Sequence, residues 1–177
     1  RCPHYGGSMP YLPLLDILRS FFDIKEEDRE FIVRKKLQKE LLQLDENLAR
    51  DLPSFEDLLS LPLQESEYLN LEPKEKKERA FEAVRNLLIR EGQRRPVILA
   101  VEDLHWIDRT SEEFLDYVIG FLTHSRILLI LLYRPEYIQQ WTSKSCYNHI
   151  GLDQLTLKSS AELVQGILEG GDVAPEL

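Results

Sequence analysis

Apolar residues recur along this chain in two rhythms: a three-and-four spacing that suits helices, and short unbroken runs that suit buried strands. Tyr11 to Phe22 reads as a helix with Pro13 near its first turn and Leu14, Leu15, Leu18 and Phe22 on one stripe, expected to pack on a sheet. Glu26 to Leu44 reads as a second helix, with Val33, Leu37, Leu41 and Leu44 on one face and a solvated face of Lys, Arg and Glu opposite. From Asp51 a short helix is expected, capped by Ser54, running through Asp57 and ended by Pro62; Gln64 to Pro73 reads as connecting loop. Ala80, Phe81, Val84, Leu87 and Leu88 mark a helix from about Lys74 to Glu91, with Gly92 just beyond its end.

The strongest strand signal follows. Val97 to Val101, introduced by Arg94-Arg95-Pro96, is too short for a free-standing helix and suits a strand buried on both faces. Thr110 and Glu113 form an expected capping box for a helix from Ser111 to about Thr123, with Phe114, Leu115, Val118, Ile119 and Leu122 inward. A second buried strand, Ile127 to Tyr133, comes next, then a short strand at Asn148 to Leu152. Ser159 and Glu162 are expected to cap a last helix, Ser160 to Glu169, that stops at Gly170-Gly171. Helix and buried strand in alternation specify an α/β domain of three layers.

Charge appears where an α/β sheet puts its ligands. Glu102 and Asp103 stand just past the carboxyl end of the first strand, and Arg134 just past the end of the second. An apolar strand followed by paired acids is the Walker B pattern, although a strand ending at a solvated turn produces the same residues. The longer stretch Glu102-Asp103-Leu104-His105-Trp106-Ile107-Asp108, with a helix after it and a second strand ending in Tyr133-Arg134-Pro135-Glu136, resembles the STAND branch of AAA+-like P-loop ATPases. It looks most like the modules found beside adenylate or guanylate cyclase domains and in large bacterial regulators. Arg1-Cys2-Pro3-His4-Tyr5, Pro10-Tyr11-Leu12-Pro13-Leu14 and Leu18-Arg19 resemble the segment after the second strand of those modules.

The resemblance implies a P-loop NTPase-like parallel sheet, incomplete at the N-terminal side. No Gly-x-x-x-x-Gly-Lys-Ser/Thr occurs, and Gly6-Gly7 is followed by Ser8-Met9-Pro10. The chain begins at Arg1 and is read as a piece of a longer protein whose Walker A strand and P-loop lie upstream. On this reading residues 1–177 are a partial ATPase domain: a mainly helical segment over 1–72, the Walker B and sensor strands with their helices over 73–157, and the start of a further helical region over 158–177. The missing central strand would lie between Ile127–Tyr133 and Asn148–Leu152.

The resemblance also implies ATP and Mg²⁺ as cofactors. Glu102 takes the Mg²⁺-side position, directly or through a water, and Asp103 the position of the water-polarising acid. Arg134 takes the sensor position facing the γ-phosphate, where a guanidinium fork matches phosphate oxygens, unless it forms a salt bridge to Glu102 or Asp103. Asp108 either joins the nucleotide site or caps the following helix. Trp106 either serves the site or packs under that helix, and His105 is structural or partly exposed.

Composition narrows the rest. With 177 residues, 43% hydrophobic and 30% charged, the chain can bury a sizeable core. A net charge of −9 argues against a nucleic-acid or anionic-membrane surface. No apolar run reaches the ~18 residues of a membrane span and no signal-peptide layout is present, which reads as cytoplasmic. Cys2 and Cys146, and the scattered His4, His105, His124 and His149, have no metal-type spacing, so reduced thiols are expected. The leading function is a regulatory ATPase module, whose ATP binding and slow hydrolysis switch a larger signalling protein. Its partners are ATP and the other domains of that protein, a nucleotide cyclase or kinase output domain among the candidates. The rival is a nucleotide-independent scaffold that keeps the frame without the chemistry. A cyclase or kinase catalytic fragment fits poorly, since no catalytic set for either reaction is present.

Overall fold

A computed structural model describes residues 10–63 and 66–167. The chain divides into two compact units, residues 1–146 and 147–177. In the first, the elements run α1 (Leu12–Phe21), α2 (Glu30–Leu44), a 3₁₀ segment (Glu46–Asp51), α3 (Leu52–Leu58), α4 (Ser66–Leu69), α5 (Pro73–Arg94), β1 (Val97–Val101), a 3₁₀ turn (Leu104–Trp106), α6 (Arg109–Leu122) and β2 (Ile127–Leu131). The second holds α7 (Leu157–Ile167).

The helical stripes meet in one core. Leu14 and Leu18 of α1 with Phe22 at its C-cap, Val33, Leu37 and Leu41 of α2, Phe55 of α3, Val84 and Leu87 of α5 and Phe114 and Val118 of α6 are all buried in it. Helix α1 packs on other helices where a sheet was expected: it contacts α6, and Phe22 meets Phe55 edge-on at 5.6 Å. Buried residues of α2, α3 and α5 join α1 in the same cluster, which also takes in Leu99. Ion pairs tie the layer at its rim. Arg34 Nε lies 2.8 Å from the buried Glu56 carboxylate while its Nη2 donates to Pro62 O at 2.5 Å, and Arg90 meets Asp45 at 2.8 Å.

Several element ends differ from expectation, each for a local reason. Helix α2 starts at Glu30, four residues late, because the Asp28 carboxylate accepts from Lys25 N–H at 2.9 Å and holds a turn there. That hydrogen bond, with Lys36 beside it, keeps the Asp28 carboxyl below its usual range. Ser54 lies buried inside α3 and is no cap, since Pro53 sets the first-turn φ and starts the helix at Leu52. Helix α3 stops at Leu58, before Pro62, with Ser60 in the left-handed region at φ 58°. Gln64 and Glu65 lie outside the described residues, but Ser66–Leu69 of the expected loop is helical.

Helix α5 passes through Gly92 and ends at Arg94. A Cβ at Gly92 would meet Ile127 Cγ1 at 3.7 Å and the Arg126 backbone at 3.8 Å, ordinary contact distances, so Gly92 is an interior helical position that a larger residue could also fill. The stop comes at Arg95, forced to extended geometry (φ −150°, ψ 154°) by Pro96. In the second unit, Thr156 Oγ1 accepts from Ser159 N–H at 3.1 Å, so α7 begins at Leu157, three residues before the expected start. The expected stop at Gly170-Gly171 lies outside the described residues.

β1 and β2 are parallel neighbours, with Val97 opposite Ile127 and Val101 opposite Leu131. These are the two strands among the described residues, and Asn148–Leu152 is irregular. Extended backbone counts as a strand only beside a partner, and that segment has none here. Burial on both faces is also overturned. Leu99 and Val101 point into the core, whereas Ile98 is 66% and Leu128 56% exposed, and Ile130 and Leu132 are also exposed. Helices cover one face of the ribbon, and the other is an open apolar surface.

Tyr68 of α4 makes one part of the helical layer sensitive to alkali. Its hydroxyl donates to Asp57 Oδ2 at 3.2 Å, and burial pushes its pKa from 10.0 up to about 12. The folded state therefore disfavours the phenolate, and the stability this gives is complete below pH 10 and lost as the pH rises toward 12. Tyr68→Phe is expected to cost about 1 kcal/mol at neutral pH for the lost hydrogen bond. It should also flatten the decline in urea-unfolding stability above pH 10. An unchanged alkaline decline would show that Tyr68 does not titrate with unfolding.

Candidate functional site

The site is built where β1 and β2 end. Leu132 N–H donates to Val101 O at 2.9 Å and Leu104 N–H to Leu132 O at 3.0 Å, carrying the ladder past both strands. Leu104 is fully buried and pins the turn between them. Around this anchor Glu102, Asp103, His105, Leu132, Tyr133 and Arg134 line an open cleft of about 330 Å³. The structure thus brings together three of the four expected residues, Glu102, Asp103 and Arg134. Glu102 is half-buried, while Asp103 and Arg134 are exposed.

Asp103 has left-handed backbone, φ 57° and ψ 38°. That region disfavours most side chains and is entered several times more readily by Asp and Asn, which suits an Asp at this position. The turn is closed by Trp106 N–H donating to Asp103 O at 2.9 Å.

Asp108, the fourth residue, is the N-cap of α6. Its Oδ1 accepts from Thr110 N–H at 3.0 Å and Ser111 N–H at 2.9 Å, and its Oδ2 from Ser111 Oγ at 2.5 Å. The expected Thr110–Glu113 capping box is therefore replaced. Asp108 offers a charged acceptor two residues earlier, and Glu113 pairs instead with Lys77 and Arg109. Lys77 holds the Glu113 carboxyl below its usual range.

His105 carries both ring nitrogens buried with no hydrogen-bond partner among the described residues, its ring 5.0 Å from that of Trp106. Buried polar atoms left unmet cost about 1 to 3 kcal/mol each. His105→Phe, which keeps a ring against Trp106, is expected to raise stability to thermal unfolding by about 1 kcal/mol. A loss of that size would mean that the imidazole is satisfied in solution.

Sequence reasoning missed the residues behind Arg134. A second cavity, next to the first, is lined by His105, Trp106, Arg134, Glu136, Tyr137 and Ile138. Tyr137 N–H donates to Arg134 O at 3.0 Å, and the Tyr137 hydroxyl donates to Glu112 Oε1 of α6 at 2.6 Å. Pro135 after Arg134 was the available signal, since it favours the second position of a four-residue turn.

Parallel strands joined through a helix, with acids after one and an arginine after its neighbour, place this chain among α/β domains whose ligand crevice lies at the strands' carboxyl ends. The family model for the AAA ATPase domain matches residues 1–130, and the chain belongs to that family. It is also similar to an uncharacterized protein of Rhizobium meliloti (strain 1021), 36% identical over 72 residues, which are 41% of this chain and 7% of that relative. No solved structure matches it. An AAA ATPase domain implies nucleotide binding. Among the described residues no helix is long and apolar enough to cross a membrane.

The donor set fits Mg²⁺ in one specific way. No group of three or more His, Cys, Asp or Glu that could hold a metal occurs among the described residues. Mg²⁺ commonly takes one or two carboxylates and draws its other ligands from phosphate oxygens and water, and Glu102 in the cleft could supply one such carboxylate.

Proposed function

We propose that this domain supplies the Walker B and sensor half of a regulatory ATPase that binds ATP with Mg²⁺ and hydrolyses it slowly, switching a larger signalling protein between states. The observation that carries this reading is the cleft itself, with Glu102, Asp103 and Arg134 lining one opening at the ends of paired parallel strands. Bound Mg²⁺ would neutralise the terminal phosphates. Glu102 would hold it directly or through water, Asp103 would orient the attacking water, and Arg134 would offer its guanidinium fork to the γ-phosphate oxygens. Slow turnover suits Asp103, whose short arm reaches less far than Glu. Asp108 acts on the site through α6, by fixing where that helix begins.

The open face of the ribbon supports the three-layer arrangement of the STAND-like resemblance, in which the parent protein's further strands and helices cover Ile98, Leu128 and Ile130. The same apolar face is what favours the rival scaffold reading, since large exposed apolar patches mark interaction surfaces.

Calorimetric titration of ATP and Mg²⁺ separates the two readings. The parent protein is expected to bind in the micromolar range, whereas residues 1–177 alone bind feebly, because most phosphate contacts in this class come from P-loop N–H groups and a Lys. A parent protein with no Gly-x-x-x-x-Gly-Lys-Ser/Thr and no ATP binding would establish the scaffold instead.

A further inference from the structure

Arg134 is exposed on the irregular segment that follows β2, and an unsupported arginine there would hold no fixed place over the cleft. Two anchors fix its backbone. On one side, Leu132 N–H donates to Val101 O and locks the end of β2. On the other, Arg134-Pro135-Glu136-Tyr137 closes into a turn through Tyr137 N–H and Arg134 O at 3.0 Å. The Tyr137 hydroxyl then donates to Glu112 Oε1 at 2.6 Å, fastening the turn to α6. Tyr133 and Tyr137 face each other across the turn with ring centroids 5.6 Å apart. Glu112 lies in the first turn of α6, whose start is set by the Asp108 cap, five residues after Asp103. Walker B segment, α6 and Arg134 therefore form one closed mechanical circuit, and the Tyr137–Glu112 bond is its closing link.

We propose that Tyr137 and Glu112 are positioning residues for the ATPase, their hydrogen bond holding Arg134 at the γ-phosphate side of the cleft. This rests on the reading of Arg134 as a phosphate contact. A hydrogen bond from a hydroxyl to a carboxylate is short and roughly twice as strong as a neutral one, so removing it frees the turn. Misplacing a catalytic contact by a fraction of its bond length slows the chemical step more than it weakens substrate binding.

The test uses the full-length parent protein, with ATP hydrolysis and thermal unfolding measured on the same samples. Tyr137→Phe and Glu112→Ala are each expected to lower kcat about tenfold while KM for ATP moves by less than about twofold. Glu112→Gln should hydrolyse near the parent rate, because its amide oxygen still accepts the hydroxyl. Adding Tyr137→Phe to Arg134→Ala should slow hydrolysis no further, since there is no guanidinium left to position. A drop in melting temperature with rate losses that add to that of Arg134→Ala would overturn the proposal in favour of a merely structural bond. Parent-rate hydrolysis by Tyr137→Phe alongside an impaired Arg134→Ala would overturn it while leaving Arg134 in its role. Parent-rate hydrolysis by Arg134→Ala would remove the reading on which it rests.

Discussion

Replacing Asp103 with Asn in the parent protein is expected to leave ATP bound and to slow its hydrolysis about a hundredfold. Removing a well-placed water-orienting charge raises the barrier by about 3 kcal/mol, which is that factor in rate. The substitution isolates the charge. Asn enters left-handed backbone as readily as Asp, so φ 57° at this position is no obstacle to folding. Asp103→Glu makes the complementary test, because the longer acid should raise the rate while its side chain strains the left-handed turn and lowers stability. Glu102→Gln is expected to weaken hydrolysis through its Mg²⁺ dependence, shifting the activity to higher Mg²⁺ concentration. Single-turnover hydrolysis with a filter assay for retained nucleotide reads all three. Parent-rate turnover in both Asp103→Asn and Glu102→Gln would remove the Walker B assignment.

The largest stability loss is expected for Phe55→Ala. Phe55 is fully buried and its ring meets Phe22 at 5.6 Å, joining α3 to α1 in the middle of the helical core. Truncating such a ring removes its transfer free energy and leaves a cavity, together about 3 to 5 kcal/mol. A domain's whole net stability is about 5 to 15 kcal/mol, so the variant should be partly unfolded or near it at 37 °C. Urea unfolding of the parent protein and the variant gives the difference directly. A loss under about 1 kcal/mol would mean that the helices close over the gap.

Much of this was legible in the sequence, and the limits have physical causes. The run Val97–Val101 gave β1 to the residue, because Pro96 before it and two acids after it bound an apolar stretch too short for a helix. The inward face of α6 was equally plain from Phe114, Leu115, Val118 and Ile119. The caps were less readable, since Asp108 and Thr110 both carry suitable oxygens, and the outcome turned on a carboxylate able to accept two N–H groups at once. Gly92 misled because a glycine near a helix end signals a stop, whereas here Pro96 sets the stop by forcing Arg95 to extended geometry. Exposure of Ile98 and Leu128 could not be read from the chain at all. An apolar side chain records what tends to be covered in the folded protein, and says nothing about which segment covers it. Arg134 was found from its place after a strand. Its tether through Tyr137 to Glu112 joins residues 25 apart in sequence and left no local pattern.

The pairing of β1 with β2 also fixes when the site can assemble. Val97 faces Ile127 across a closed loop of about 30 residues, whose closure costs roughly 3 kcal/mol of chain entropy in a freely flexible segment. Once α6 has formed and packed on α5, most of that span is already rigid and the two strands are brought side by side. The ribbon should therefore be a late event on the folding route and α5–α6 an early one. Substitutions at Phe81 or Phe114, whose rings touch across α5 and α6 at 5.3 Å, would slow folding, whereas substitutions at Leu99 or Leu129 would mainly hasten unfolding. On that route the cleft is expected to form last and to be the first part of the unit lost when the domain begins to open.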